Sequence, residues 1–94
     1  MNPYHQNPDS LTAEIRAEYK ALNTPYLEPP PGFGCDFVTF NHRLAFVEVK
    51  RLGAENNLTK AERRLRYLAS LVGIPYIIVT TKDGALVAAG YVIE

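Results

Sequence analysis

The fold is decided by Asp36-Phe37-Val38-Thr39-Phe40 and, after Asn41-His42-Arg43, by Leu44-Ala45-Phe46-Val47-Glu48-Val49-Lys50. Both runs are rich in β-branched and aromatic residues, and the short link between them predicts an antiparallel hairpin. Side chains alternate along a strand, so Leu44, Phe46, Glu48 and Lys50 share one face while Ala45, Val47 and Val49 share the other. If Phe40 pairs with Leu44, Asp36 falls opposite Glu48. A loop one residue shorter would set Asp36 against Val47, on the wrong face.

Two carboxylates at cross-strand separation, about 4.5–5.5 Å between Cβ atoms, repel unless a cation lies between them. Mg²⁺, or Mn²⁺ in its place, suits such a pair. It takes oxygen ligands, commonly one or two protein carboxylates, with water completing the shell. The backbone carbonyl of Val49 is a further candidate ligand. Lys50, next on the same face, is expected to face the same cavity, orient a water and stabilise charge developing on a phosphate. The alternative is an exposed sheet face with an incidental carboxylate–lysine pair. Phe46 on that face argues for a covering helix, and a buried charge needs a partner or a metal.

Outward from the hairpin, residues 1–9 contain two prolines and no periodicity, and read as a loose arm. Asp9 or Ser10 is placed to cap a helix running through Asn23, with Leu11, Ile15 and Leu22 at helical spacing. Thr24-Pro25 ends it, and residues 24–34 form a Pro/Gly-rich connector. Beyond the hairpin lie a loop at 51–58 and a helix from Thr59 to Val72. Ala61, Leu65, Leu68 and Val72 lie on its stripe, and Gly73 lies past its end. Pro75–Thr81 reads as a strand buried on both faces. Lys82-Asp83-Gly84 then reads as a turn, and 85–93 as a last, weaker strand with Gly90 at a bulge. The expectation is one α/β domain over residues 1–94, a mixed β-sheet flanked by helices in the order α-β-β-α-β-β.

Formal charge is zero, with ten basic and ten acidic residues, which argues against coating nucleic acid by bulk positive charge. Lys50, Arg51, Lys60, Arg63, Arg64 and Arg66 nevertheless cluster between positions 50 and 66. The one cysteine, Cys35, allows no internal disulfide and fits a reducing cytoplasm. No apolar run approaches the ~20 residues that span a bilayer, and the polar start is no signal peptide. A chain this short buries a modest core, so the size and the apolar Ala85–Ile93 point to a homodimer.

The stretches Gly34-Cys35-Asp36-Phe37-Val38, Phe46-Val47-Glu48-Val49-Lys50 and Leu58-Thr59-Lys60-Ala61-Glu62-Arg63-Arg64 resemble the PD-(D/E)XK nuclease superfamily. The resemblance is closest to its virus-type replication-repair nuclease (VRR-NUC) domain and more distant to the Holliday-junction resolvases, and covers roughly residues 11–81. It implies a restriction-endonuclease-like fold and a Mg²⁺- or Mn²⁺-dependent endonuclease that hydrolyses phosphodiester bonds of DNA. Branched or junction DNA is the implied substrate and a symmetric dimer the implied assembly. In those families a helix following the Glu-x-Lys carries a glutamine, and Glu62 stands in its place here. Cys35 replaces the usual proline, and the 24–34 connector leaves little room for the strand that commonly precedes the aspartate.

Glu18 is the one charge in the stripe formed by positions 11, 15, 18 and 22, and the resemblance implies an acidic residue from this helix in the metal site. Glu14, a turn away, is the competing candidate, and both are left in solvent if the helix is turned. Glu62 has two readings, a site residue or the partner of Thr59 in a capping box. Arg51, Lys60, Arg63 and Arg64 are candidates for phosphate contact, or else an exposed face kept soluble by charge. His5, His42 and Cys35 carry no motif. Two rival functions stay open: a nucleic-acid-binding module on a nuclease fold that does not cut, and a structural or assembly protein whose acidic pair is incidental.

Overall fold

The computed structural model describes residues 8–93. The arm is described only from Pro8, so His5 and the rest of residues 1–7 lie outside it, as does Glu94. Strands β2 (Phe37–Thr39) and β3 (Ala45–Val49) form the hairpin, pairing Phe37 with Val47, Val38 with Phe46 and Thr39 with Ala45. This is the register in which Asp36, just before β2, approaches Glu48. His42 at the tip adopts a left-handed φ of 64°. Helix α2 (Lys60–Val72) then crosses over to β4 (Tyr76–Val79), which runs parallel to β3. A parallel neighbour requires such a crossover. A two-residue strand β1 (Tyr26–Leu27) pairs antiparallel with β2, giving a four-stranded mixed sheet in the order β1-β2-β3-β4.

The period of two along β3 sorts the molecule into layers. Val47 and Val49 pack with Phe37 against Leu11, Ile15 and Tyr19 of α1 (Pro8–Ala21) and Ala85 of α3 (Lys82–Ala88). Phe46 faces the other way, packing with Cys35, Val38, Leu65 and Ala69 beneath α2. Tyr19 is fully buried, and its hydroxyl donates to the carbonyl of Ala85 at 2.7 Å, as a buried phenol requires.

The order is therefore α-β-β-β-α-β-α, and it departs from the expected one at both ends of the sheet. The connector does hold a strand, since Tyr26 and Leu27 extend alongside β2 between Pro25 and the run Pro29–Pro31. The expected strand over 85–93 is the helix α3 and its exit. The Thr81 hydroxyl accepts from the Gly84 amide, so Lys82-Asp83-Gly84 is the first turn of a capped helix. The alanine-rich run that follows suits a helix. Ala85, Leu86, Ala88 and Ala89 are buried within the chain, whereas Val87, Val92 and Ile93 of the same apolar tail are exposed. Strand β4 lies at the sheet edge, so Tyr76, Ile77 and Ile78 are half-buried.

Two helical stripes are also rotated from expectation. In α2 the inward residues are Ala61, Glu62, Leu65 and Ala69, while Leu68 and Val72 are exposed. In α1 they are Leu11, Ile15 and Tyr19. The helix ends at Ala21, where Asn23 turns left-handed at φ 54° and leaves Leu22 exposed. No helix among the described residues is long and apolar enough to cross a membrane.

Candidate active site

Glu48 is the one charged residue among the buried ones described, 5% exposed and on the α2 side of β3. Asp36 reaches the same place from the start of β2. Its amide donates to the Val47 carbonyl at 3.0 Å, and its Oδ2 accepts from the Val49 amide at 2.8 Å. The aspartate thus clamps the end of the hairpin while its other oxygen is not part of that bond. A strand residue points its N–H and C=O to the same edge, so the Val49 carbonyl also faces the β2 side, where Asp36 lies. Asp36 and Glu48 line one cavity of about 530 Å³, together with Cys35, Thr59 and Glu62.

Glu62 forms the expected capping box and also lines the cavity. Its Oε1 accepts from the Thr59 amide at 2.8 Å, and the Thr59 hydroxyl accepts from the Glu62 amide at 3.2 Å, which completes the capping box. The same Oε1 accepts from Lys50 Nζ at 2.7 Å. Lys50 Nζ lies 3.5 Å from Glu48 Oε2. Lys50 does not itself line the cavity, contrary to expectation. It stands behind the two glutamates because Glu62, arriving on the first turn of α2, takes its ammonium.

The carboxylates titrate unequally. Burial, then the nearby charges of Asp36 and Glu62, push the Glu48 carboxyl up to about 9. Lys50 does not offset this, because it sits closer to Glu62. Burial also opposes ionisation of Glu62, but hydrogen bonds from Lys50 and the Thr59 amide outweigh it and hold that carboxyl below its usual range. Burial lowers Lys50, yet its hydrogen bond to Glu62 and the charges of both glutamates leave it raised. Cys35 is buried, its Sγ donates to the Phe37 carbonyl at 3.4 Å, and burial pushes the thiol up to about 12, so it stays protonated.

The structure does not bring Glu18 or Glu14 into the cavity. Helix α1 packs on the face of Val47 and Val49, opposite to the one that carries Glu48. Glu18 Oε2 lies 3.9 Å from Lys82 Nζ and Glu14 is exposed. What α1 contributes instead is Thr12 and Arg16 at the rim. The Arg16 guanidinium donates to both carboxylate oxygens of Glu28 at 2.7–3.0 Å, joining α1 to the proline-rich connector. That hydrogen bond, more than burial, shifts Glu28 below and Arg16 above their usual values. Neither residue stands out in the sequence. Arg16 follows Thr12 by one helical turn, a weak signal, and Glu28 sits in an aperiodic segment.

Arg51, Lys60, Arg63 and Arg64 are exposed. Arg63 Nη1 donates to the Leu58 carbonyl at 2.8 Å, whereas Lys60 and Arg64 line a groove beside the cavity. His42 is exposed at the hairpin tip.

Among the described residues, no group of three or more His, Cys, Asp or Glu side chains is placed to hold a metal ion. A three-carboxylate shell completed by Glu18 is therefore not formed. The donor set that remains is Asp36, Glu48 and the Val49 carbonyl, two carboxylates and one carbonyl. That number fits Mg²⁺, which keeps several waters. Compared with family models, with curated proteins and with solved structures, the chain finds no match in any of the three.

Proposed function

We propose that this chain is a divalent-metal-dependent nuclease of the PD-(D/E)XK type, hydrolysing phosphodiester bonds of DNA with branched or junction DNA as its substrate class. The observation that carries the reading is the nearly complete burial of Glu48 beside Asp36 in one cavity, with an ammonium behind them. A buried carboxyl such as Glu48 is costly to keep beside a second carboxylate unless something uses the pair. Asp36, Glu48 and the Val49 carbonyl would hold Mg²⁺ or Mn²⁺. The bound ion supplies Lewis acidity and an activated water. Glu48 must release its proton to serve as a ligand, and Asp36 is already fixed by the Val49 amide. Lys50, held by Glu62 at 2.7 Å behind the two carboxylates, would contribute positive charge to the site from outside the cavity lining.

Cleavage of supercoiled, linear, single-stranded and four-way-junction DNA in Mn²⁺ tests the reading. Glu48→Ala and Lys50→Ala are expected to lose about 10²-fold or more of the rate, the scale of one removed electrostatic group. If wild type and Glu48→Ala are equally inert on every form, the chain is not a nuclease.

One observation favours a second reading, a nuclease-fold module that binds DNA without cutting it. One Asp36 oxygen is engaged by backbone, and among the described residues no three-ligand cluster forms. Calorimetric titration with Mn²⁺ separates the two. The enzyme reading expects site-specific binding that Asp36→Asn removes, and the module reading expects DNA binding with no metal site.

A further inference from the structure

The segment before Asp36 is pressed against α2. Gly34 has φ 114°, and a Cβ placed on it would meet the Ala61 carbonyl oxygen at 2.6 Å and Leu65 Cβ at 2.8 Å. Only a glycine allows this approach. The Tyr76 hydroxyl fastens it by donating to the Gly34 carbonyl at 2.7 Å. Its consequence is the placement of Phe33. The ring rests edge-on against Phe46, with centroids 6.0 Å apart, yet stays 42% exposed.

Beside Phe33 opens a groove of about 610 Å³. Its walls are Phe33, Leu65 and Leu68, and two cations, Lys60 and Arg64, line it with them. It shares Gly32 and Ala61 with the cavity of Asp36 and Glu48, so the two adjoin. We infer that this groove receives an unpaired nucleobase of the DNA strand next to the bond held at Asp36 and Glu48. The inference rests on the nuclease reading for its substrate and adds which part of the substrate is read.

The composition of the groove selects the occupant. A paired duplex offers phosphates and would need the cations alone, because its bases are stacked away. A splayed base offers a flat apolar face and a phosphate on each side, which is what an exposed ring flanked by Lys60 and Arg64 fits. A groove of this size lies in the range of small-ligand sites. The substrate class is then DNA with single-stranded character at the cut, such as a flap, a gap or the crossover of a junction.

The test is binding in EDTA, where no cleavage occurs, of a fluorescein-labelled single strand and of a blunt duplex of equal length. A 2-aminopurine in the single strand reports stacking. Phe33→Ala is expected to weaken the single strand at least about fivefold, the lower end for one lost stacking contact, and to leave the duplex unchanged. Phe33→Trp should restore it. Because Phe33 also supports Phe46, Leu68→Glu serves as a second variant on the exposed wall and should weaken the single strand more than the duplex.

Equal binding of single strand and duplex by wild type, or an unquenched 2-aminopurine, overturns the inference. So would a sedimentation shift showing that Leu68→Glu splits a dimer, because a second copy would then fill the groove. Selective binding without any cleavage would leave the groove standing and the nuclease reading fallen. Cleavage by a protein whose Phe33→Ala form binds single strands normally would do the reverse.

Discussion

Glu48 concentrates the cost of the site in one side chain. Its folded carboxyl titrates near 9 and its unfolded one near 4.5. Below the lower value both states are protonated and the group is neutral to stability. Above it the unfolded chain ionises first, so it binds fewer protons than the fold, and stability falls until the folded group also ionises. Urea midpoints of the protein in EDTA should therefore decline from pH 5 to pH 9, and Glu48→Gln should flatten the decline. A wild-type profile already flat would mean that Glu48 is ionised in the fold. The pairing of Asp36 with Glu48 was legible because a strand has a period of two and the hairpin register is fixed by its apolar residues, whereas the turning of Lys50 toward Glu62 and out of the cavity lining was not. Glu18 was misread for an equally simple reason. Stripes at spacings of four and of three diverge along a helix, and the burial of Tyr19 rather than of position 18 turns the carboxylate away.

At the scale of elements, the approach of the 30–35 segment to α2 depends on Gly34 in two ways, its φ and its missing Cβ. Gly32, at φ 87° but with nothing within 4 Å of its Cβ position, depends on φ alone. Gly32→Ala should cost about 1–2 kcal/mol, the left-handed penalty. Gly34→Ala should cost more, since backbone at 2.6 Å must move, and should also depress single-strand binding. Thermal melts of the two variants check this, and equal shifts would mean that the contact with Ala61 is easily relieved. The hairpin, the capped α2 and its Gly73 terminus were readable from local chemistry, Thr59 with Glu62 at the start and a left-handed glycine at the end. The helix α3 was not. Its Thr81 cap sits three residues before a glycine, and Lys82-Asp83-Gly84 has the composition of a turn, while burial of Ala85, Leu86 and Ala88 against α1 and the sheet decides for a helix. The rim made by Arg16 and Glu28 was invisible, since it joins residues twelve apart across an aperiodic connector.

The whole molecule is neutral, yet its α2 carries Lys60, Arg63, Arg64 and Arg66 on one element next to the cavity. Affinity for DNA should thus come from a local field and fall with salt, as phosphate contacts do. A ligand that binds only the fold also stabilises it. Mn²⁺ at a hundred times its dissociation constant should add about 2.7 kcal/mol, which for a domain of this size raises Tm by roughly 10–20 °C. Glu48→Gln should remove most of the increment, and an unchanged increment would place the metal elsewhere. The sharing of Glu62 Oε1 by a backbone amide and an ammonium has its own outcome. The contact is directional, because a carboxylate accepts from both donors and a lysine at its position accepts from neither. Exchanging the partners, Lys50→Glu with Glu62→Lys, keeps the net charge yet points a cation at the Thr59 amide. A double-mutant cycle should find no recovery of stability, and recovery to the wild-type midpoint would reduce the contact to an ordinary attraction of opposite charges.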